Sequence, residues 1–154
     1  MSQTMITLLV VGLFLLIFPL MWLGITSLLM AISGWSKVAK RYPDREDTVL
    51  GSFGWQSGAI GPHPLASVNF RNVLTFEACS TGMRLKIMTL MAPFAKPILV
   101  PWDELSVKTR SLLIVDYYDL LFGEEGEGGH IMVTKKLGRR LAEASAGRMV
   151  LPRD

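Results

Sequence analysis

The side chains able to do acid, base, nucleophilic or metal chemistry are few in this 154-residue chain: two histidines, one cysteine and 13 acidic residues. His63 sits between Pro62 and Pro64, and His130 follows the acidic, glycine-rich stretch 123–129. A metal site needs ligands that converge, by i, i+4 spacing on a helix or through Cys and His pairs. Neither histidine has such a neighbour, and the lone Cys79 excludes a cysteine-based zinc site and a disulfide framework. Ser80 or Ser111 with a histidine and an aspartate would supply the parts of a nucleophilic triad, yet no G-x-S-x-G elbow frames either serine. Asp103 and Glu104 are adjacent carboxylates, which a strand would point to opposite faces, so turn bonding and solvation suit them better than shared proton transfer. Glu124, Glu125 and Glu127 lack the D-x-[DN]-x-[DN]-G order of a calcium loop and read as a solvated hairpin tip. The expectation is a non-catalytic protein with no cofactor and no metal.

Charge is the more informative chemistry. All 16 basic and 13 acidic residues lie beyond position 34, and the first 34 residues carry none. Within 5–32, 22 of 28 residues are apolar, the others being Thr7, Gly12, Pro19, Gly24, Thr26 and Ser27. As a helix at ~1.5 Å per residue this run is long enough to cross a ~30 Å hydrocarbon core once, and too short to cross it twice. Ala31-Ile32-Ser33 before Gly34 resembles a signal-peptide cleavage site. No basic residue precedes the run, however, and it is about twice the length of a signal core, so a retained transmembrane helix is expected. Lys37, Lys40, Arg41 and Arg45 follow the span closely, which predicts an inner-membrane protein with its N-terminus outside and its C-terminal domain in the cytoplasm.

Inside the span Gly24, Ser27, Ala31 and Gly34 recur at helical spacing. Such a stripe of small residues lets two membrane helices approach, as in a homodimer or with a membrane-protein partner. Residues 33–42 place Trp35, Val38, Ala39 and Tyr42 on one helical face up to Pro43, a juxtamembrane extension whose Trp35 and Tyr42 suit the interface. Residues 43–65, rich in Gly and Pro, are expected to be a connector with short strands around 49–53.

A β domain is expected over 66–147, with a tail at 148–154. Ala66, Val68, Phe70, Leu74, Phe76 and Ala78 share one parity, and Met83, Leu85 and Ile87 alternate with Arg84 and Lys86, the period of half-buried strands. Residues 97–101, 105–109, 112–121 and 130–133 continue as strands. Thr134 then caps a helix from Lys135 to about Ala146, with Leu137 and Leu141 on one face and Lys135, Lys136, Arg139 and Arg140 on the rest. Short hairpin connections imply an antiparallel sheet. The four cations suit anionic lipid headgroups or an acidic partner. Nucleic acid is not expected, because no stacking aromatics accompany them. Trp102 and the pair Leu137 and Leu141 are read as structural.

The segment Ile98-Leu99-Val100-Pro101-Trp102-Asp103-Glu104-Leu105, the strand succession and the closing helix resemble the bacterial pleckstrin-homology-like domains. Gly34-Trp35 followed by Ala39 and Tyr42-Pro43 is similar to a segment of small single-pass bacterial membrane proteins. The resemblance spans most of 33–146 and implies a curved antiparallel sheet or partly open barrel, one end closed by the C-terminal helix. It also implies a binding module rather than an enzyme. Arg84-x-Lys86 is only a fragment of the family's phosphoinositide-binding pattern. The functional expectation is an interaction or scaffolding module at the cytoplasmic membrane surface; the alternative is an accessory subunit of a larger membrane complex, acting mainly through its span.

Overall fold

The computed structural model describes residues 1–61 and 67–153, without the side chain of Glu125. His63 and Ala66 lie outside the described residues. A long helix, α1 (Gln3–Ser33), opens at Ser2, whose hydroxyl accepts from the Met5 amide, and runs through Pro19. It stops at Gly34, which takes the left-handed conformation (φ 75°) that favours glycine. A short helix, α2 (Trp35–Arg41), follows at once. Seven strands come next: β1 (Val49–Gly61), β2 (Val68–Cys79), β3 (Gly82–Ile87), β4 (Ile98–Pro101), β5 (Leu105–Leu112), β6 (Val115–Phe122) and β7 (Gly129–Thr134). Helix α3 (Lys135–Ala144) is the last element.

The strands form one antiparallel sheet in the order β4-β3-β2-β1-β7-β6-β5, curled into a half-barrel. Two meanders, β1 to β4 and β5 to β7, meet along the seam Ala59↔Met132, Ile60↔Ile131 and Gly61↔His130. Leu74, Phe76, Leu85, Val100, Leu120 and Ile131 fill the concave side, each almost wholly buried. The alternation in β2 and β3 is therefore the alternation of core and outer face, as the period-two pattern predicts.

The expected connector 43–65 contains β1, the strand on which the two meanders join. Its four glycines hid it, because glycine lowers strand propensity. In the fold two of them mark close approaches. A Cβ on Gly51 would lie 2.9 Å from the Ala144 Cβ, and one on Gly58 would lie 2.9 Å from the Ile131 Cδ1. Breaks in the β1–β2 register surround Trp55 and Asn72, both at positive φ, so the bend expected at Arg71-Asn72 is a bulge inside one long strand.

Trp35 and Tyr42, suited by type to the membrane interface, are instead in the core, at 1% and 3% exposure. After the turn at Gly34, α2 lies against the half-barrel. The Trp35 indole N–H donates to the Lys96 carbonyl (2.8 Å), the Leu99 amide donates to the Tyr42 carbonyl (3.2 Å), and the Tyr42 ring meets Phe122 edge-on. The tail is folded too: Met149 is buried, and its amide donates to the Ser145 hydroxyl.

Candidate functional site

Helix α1 changes character along its length. Its residues from Met5 to Met21 are exposed on every side, whereas Thr26, Met30 and Ser33 are buried against the domain. Gly24, Ser27 and Ala31 lie on another face and stay exposed, and a Cβ on Gly24 would meet nothing within 4 Å. The small-residue stripe is thus open while the domain occupies a different side of the same helix. Gly34, its last member, has a separate duty as the turn between α1 and α2.

The four cations of α3 do not act as one group. Lys135 is partly buried, with Nζ 3.9 Å from Asp116 and 5.5 Å above the Tyr118 ring. Lys136, Arg139 and Arg140 are exposed. Leu137 and Leu141 point into the core, the Leu137 amide donates to the Thr134 hydroxyl, and Gly138 permits contact with the Tyr118 ring.

Contact between Lys135 and Asp116 brings the first turn of α3 beside the β5–β6 hairpin tip. That tip was not legible in the sequence: 105–109 and 112–121 read as strands, because an unbroken apolar run looks like strand interior. The chain instead turns at Leu113-Ile114, with Leu113 at φ 56°. Leu112, Leu113, Ile114 and Val115 are 47%, 102%, 98% and 48% exposed. The Ser111 hydroxyl donates to Asp116 across the base of the turn. Four consecutive apolar side chains therefore stand in solvent at the tip, and the first residue of α3, Lys135, meets its base through Asp116.

Trp102 heads a 3-10 turn (Trp102–Glu104) between β4 and β5; it is buried, with its indole N–H donating to the Cys79 carbonyl (2.9 Å). The Cys79 thiol is buried and its pKa is raised, chiefly by that burial, which disfavours a reactive thiolate. Asp103 and Glu104 are exposed, and Glu104 accepts from the Tyr42 hydroxyl.

Two buried polar clusters went unread in the sequence. Arg84 reaches Asp44 (2.8 Å), Glu77 (2.9 Å) and the Arg45 carbonyl (2.8 Å), while Lys86 pairs with the other Glu77 oxygen. Burial alone would lower the Arg84 pKa and raise that of Glu77. Hydrogen bonds outweigh it in both cases, from Asp44 and Glu77 for Arg84, and from Lys86 and Arg84 for Glu77. The only sequence signal is that Glu77 and Arg84 flank a tight turn, which the register makes directly opposite.

The second cluster is Asp119, with His130 Nδ1 at 3.1 Å on one oxygen and Arg110 Nη2 at 3.0 Å on the other. With the Nδ1 hydrogen given to the carboxylate, His130 Nε2 is buried without a hydrogen-bond partner among the described residues. An Asp–His pair of this kind orients an imidazole. The serines considered for a triad are engaged elsewhere, Ser80 with Asp47 and Ser111 with Asp116. Among the described residues no group of three or more His, Cys, Asp or Glu is placed to hold a metal ion.

Between α2 and the loop that joins β3 to β4 lies an open groove of about 550 Å³, lined by Trp35, Ala39, Lys40, Phe94, Lys96 and Pro97 among others. It combines an apolar floor with two exposed lysines at its rim. Family models, curated proteins and solved structures were all compared with this chain, and none matches it.

Proposed function

We propose that this chain is a single-pass protein of a bacterial inner membrane whose pleckstrin-homology-like half-barrel is a non-catalytic interaction module on the cytoplasmic surface. The observation that carries this reading is the solvent-exposed apolar β5–β6 tip, whose base meets Lys135 at the start of the cationic helix α3. Fully exposed leucine and isoleucine at a hairpin tip are costly to leave in water and are explained by a partner that covers them. A partner with an apolar socket and acidic edges fits the tip together with Lys136, Arg139 and Arg140.

Affinity capture with the detergent-solubilised full chain tests this. Leu113→Asp with Ile114→Asp should strip the captured partner while leaving the unfolding midpoint in place, since neither side chain is packed. Replacing Lys136, Arg139 and Arg140 by Gln should weaken capture in a salt-dependent way. An identical captured set from all three proteins refutes the reading. Flotation of the same proteins with anionic vesicles separates an acidic lipid surface from a protein partner.

The orientation rests on Lys37, Lys40, Arg41 and Arg45, which follow the apolar run closely. A C-terminal alkaline phosphatase fusion should be inactive and a C-terminal fluorescent-protein fusion bright. The reverse pattern overturns the orientation.

A further inference from the structure

We propose that the β3–β4 loop, residues 88–97, is a second membrane contact that lies in the leaflet through which α1 leaves the bilayer. The inference rests on the reading that α1 spans the membrane. A hydrocarbon core of ~30 Å takes about 20 helical residues. Counted from the start of α1, that length ends near Trp22, a residue type that favours the membrane–water boundary. Contact with the domain begins at the same place. Trp22 and Leu23 are partly buried, and the Trp22 indole N–H donates to the Leu90 carbonyl at 3.0 Å. Leu90 is therefore held at the depth of Trp22.

Three features of the loop suit that depth. No charged residue occurs from Ile87 to Ala95, and charge resumes only at Lys96. Its most outward large side chains are apolar, Leu90 and Phe94 each 73% exposed and Met91 36%, with Thr89 the one exposed polar residue before Lys96. Part of its backbone is paired within itself, the Met91 and Ala92 amides on the Met88 carbonyl and the Ala95 amide on the Ala92 carbonyl, and the Leu90 and Lys96 carbonyls accept from the Trp22 and Trp35 indoles. Each such bond lowers the cost of placing loop backbone near lipid. Ala92 and Ala95 face inward and line the seam with Thr26 and Met30, so the loop and the last turns of α1 form one surface. With two contacts, a helix and a loop, the half-barrel would be held at one orientation to the bilayer instead of swinging on a tether.

The test uses the full chain in phosphatidylcholine vesicles carrying nitroxide-labelled lipids, with an environment-sensitive fluorophore at one introduced cysteine. Cys79 is buried and remains unlabelled. Leu15→Cys reports the middle of the span, Leu90→Cys and Phe94→Cys the loop, and Glu46→Cys an exposed site in water. The expected result is loss of the Leu15→Cys signal to nitroxides deep in the acyl chain. The loop labels should be blue-shifted, quenched by nitroxides near the headgroup and shielded from aqueous iodide. Loop labels as open to iodide as the Glu46→Cys label, with the Leu15→Cys label still quenched by lipid, overturn the loop contact and leave the span standing. A Leu15→Cys label that no lipid nitroxide reaches overturns both.

Discussion

Helices α2 and α3 are both short and both packed on the half-barrel, yet they differ in what they bring to it. α3 contributes Leu137 and Leu141, a cap by Thr134 and an outer face of cations; it is an amphipathic helix of the ordinary kind. α2 contributes Trp35 and Val38, with Tyr42 directly after it, and the two aromatics also supply polar groups that tie its ends to Lys96, Leu99 and Glu104. α3 is a late element near the chain's end. α2 is joined to the long apolar helix α1 by one glycine. The difference teaches that the apolar helix α1 is built into the domain's core rather than tethered to it.

The largest effect should come from cutting between the two. A fragment of residues 43–154 keeps α3 but loses Trp35, Val38 and Tyr42, three core side chains. Truncating one large buried side chain costs about 3–5 kcal/mol, so this loss approaches the ~5–15 kcal/mol of a whole domain. Circular dichroism should show fragment 43–154 largely unfolded and fragment 34–154 folded with a cooperative melt. Equal melts for the two fragments would make α2 an ornament on the sheet.

Leu137→Asp is next, since a carboxylate in the seam of α3 has no partner there and should unfold the domain at neutral pH. Milder truncations sharpen the comparison. Trp35→Ala and Trp102→Ala should each cost about 3–5 kcal/mol, and Leu141→Ala about 2–5 kcal/mol. Chemical denaturation of the full chain in detergent measures all three. A Trp35→Ala cost below that of Leu141→Ala would reverse the ranking of the two helices.

Acid should loosen the α2 side first. The segment between α2 and β1 is held by Asp47, whose carboxylate accepts from the Ser80 and Thr81 hydroxyls and lies well below the usual carboxylate range because of those bonds. Asp44 in the same segment holds Arg84, which also holds Glu77, another carboxyl kept low by its cationic partners. Carboxyls with lowered native pKa values stabilise the fold above their ordinary values, near 4, and that contribution is lost as pH falls through the lowered native values. Stability should therefore hold at neutral pH and fall progressively below about pH 4. Asp47→Asn should flatten the acid limb, as followed by the fluorescence of the full chain. The smallest effect belongs to the outer face of α3: replacing Lys136, Arg139 and Arg140 by Gln should change stability by less than about 0.5 kcal/mol each.

What the sequence determined by itself was whatever a local period or a local composition states. An uncharged run of 28 residues is a membrane-length helix whatever it touches, and it appears as α1. Met83, Leu85 and Ile87 alternate because a strand has two faces; Thr134 caps α3 because a hydroxyl there meets a free amide. Tertiary structure alone decided the rest, because it depends on what lies across the gap. The helical spacing of Trp35, Val38 and Tyr42 defines a face, but lipid and a half-barrel core would both accept that face. Glycines that discourage a strand locally are required in β1 once Ala144 and Ile131 press against it. Glu77 and Arg84 become a buried pair, and Asp119 and His130 another, only when the register sets them side by side. The apolar run at Leu112 to Val115 is strand interior by composition and solvent-exposed tip by topology, since the position of a turn is set by the pairing of both strands and not by either alone.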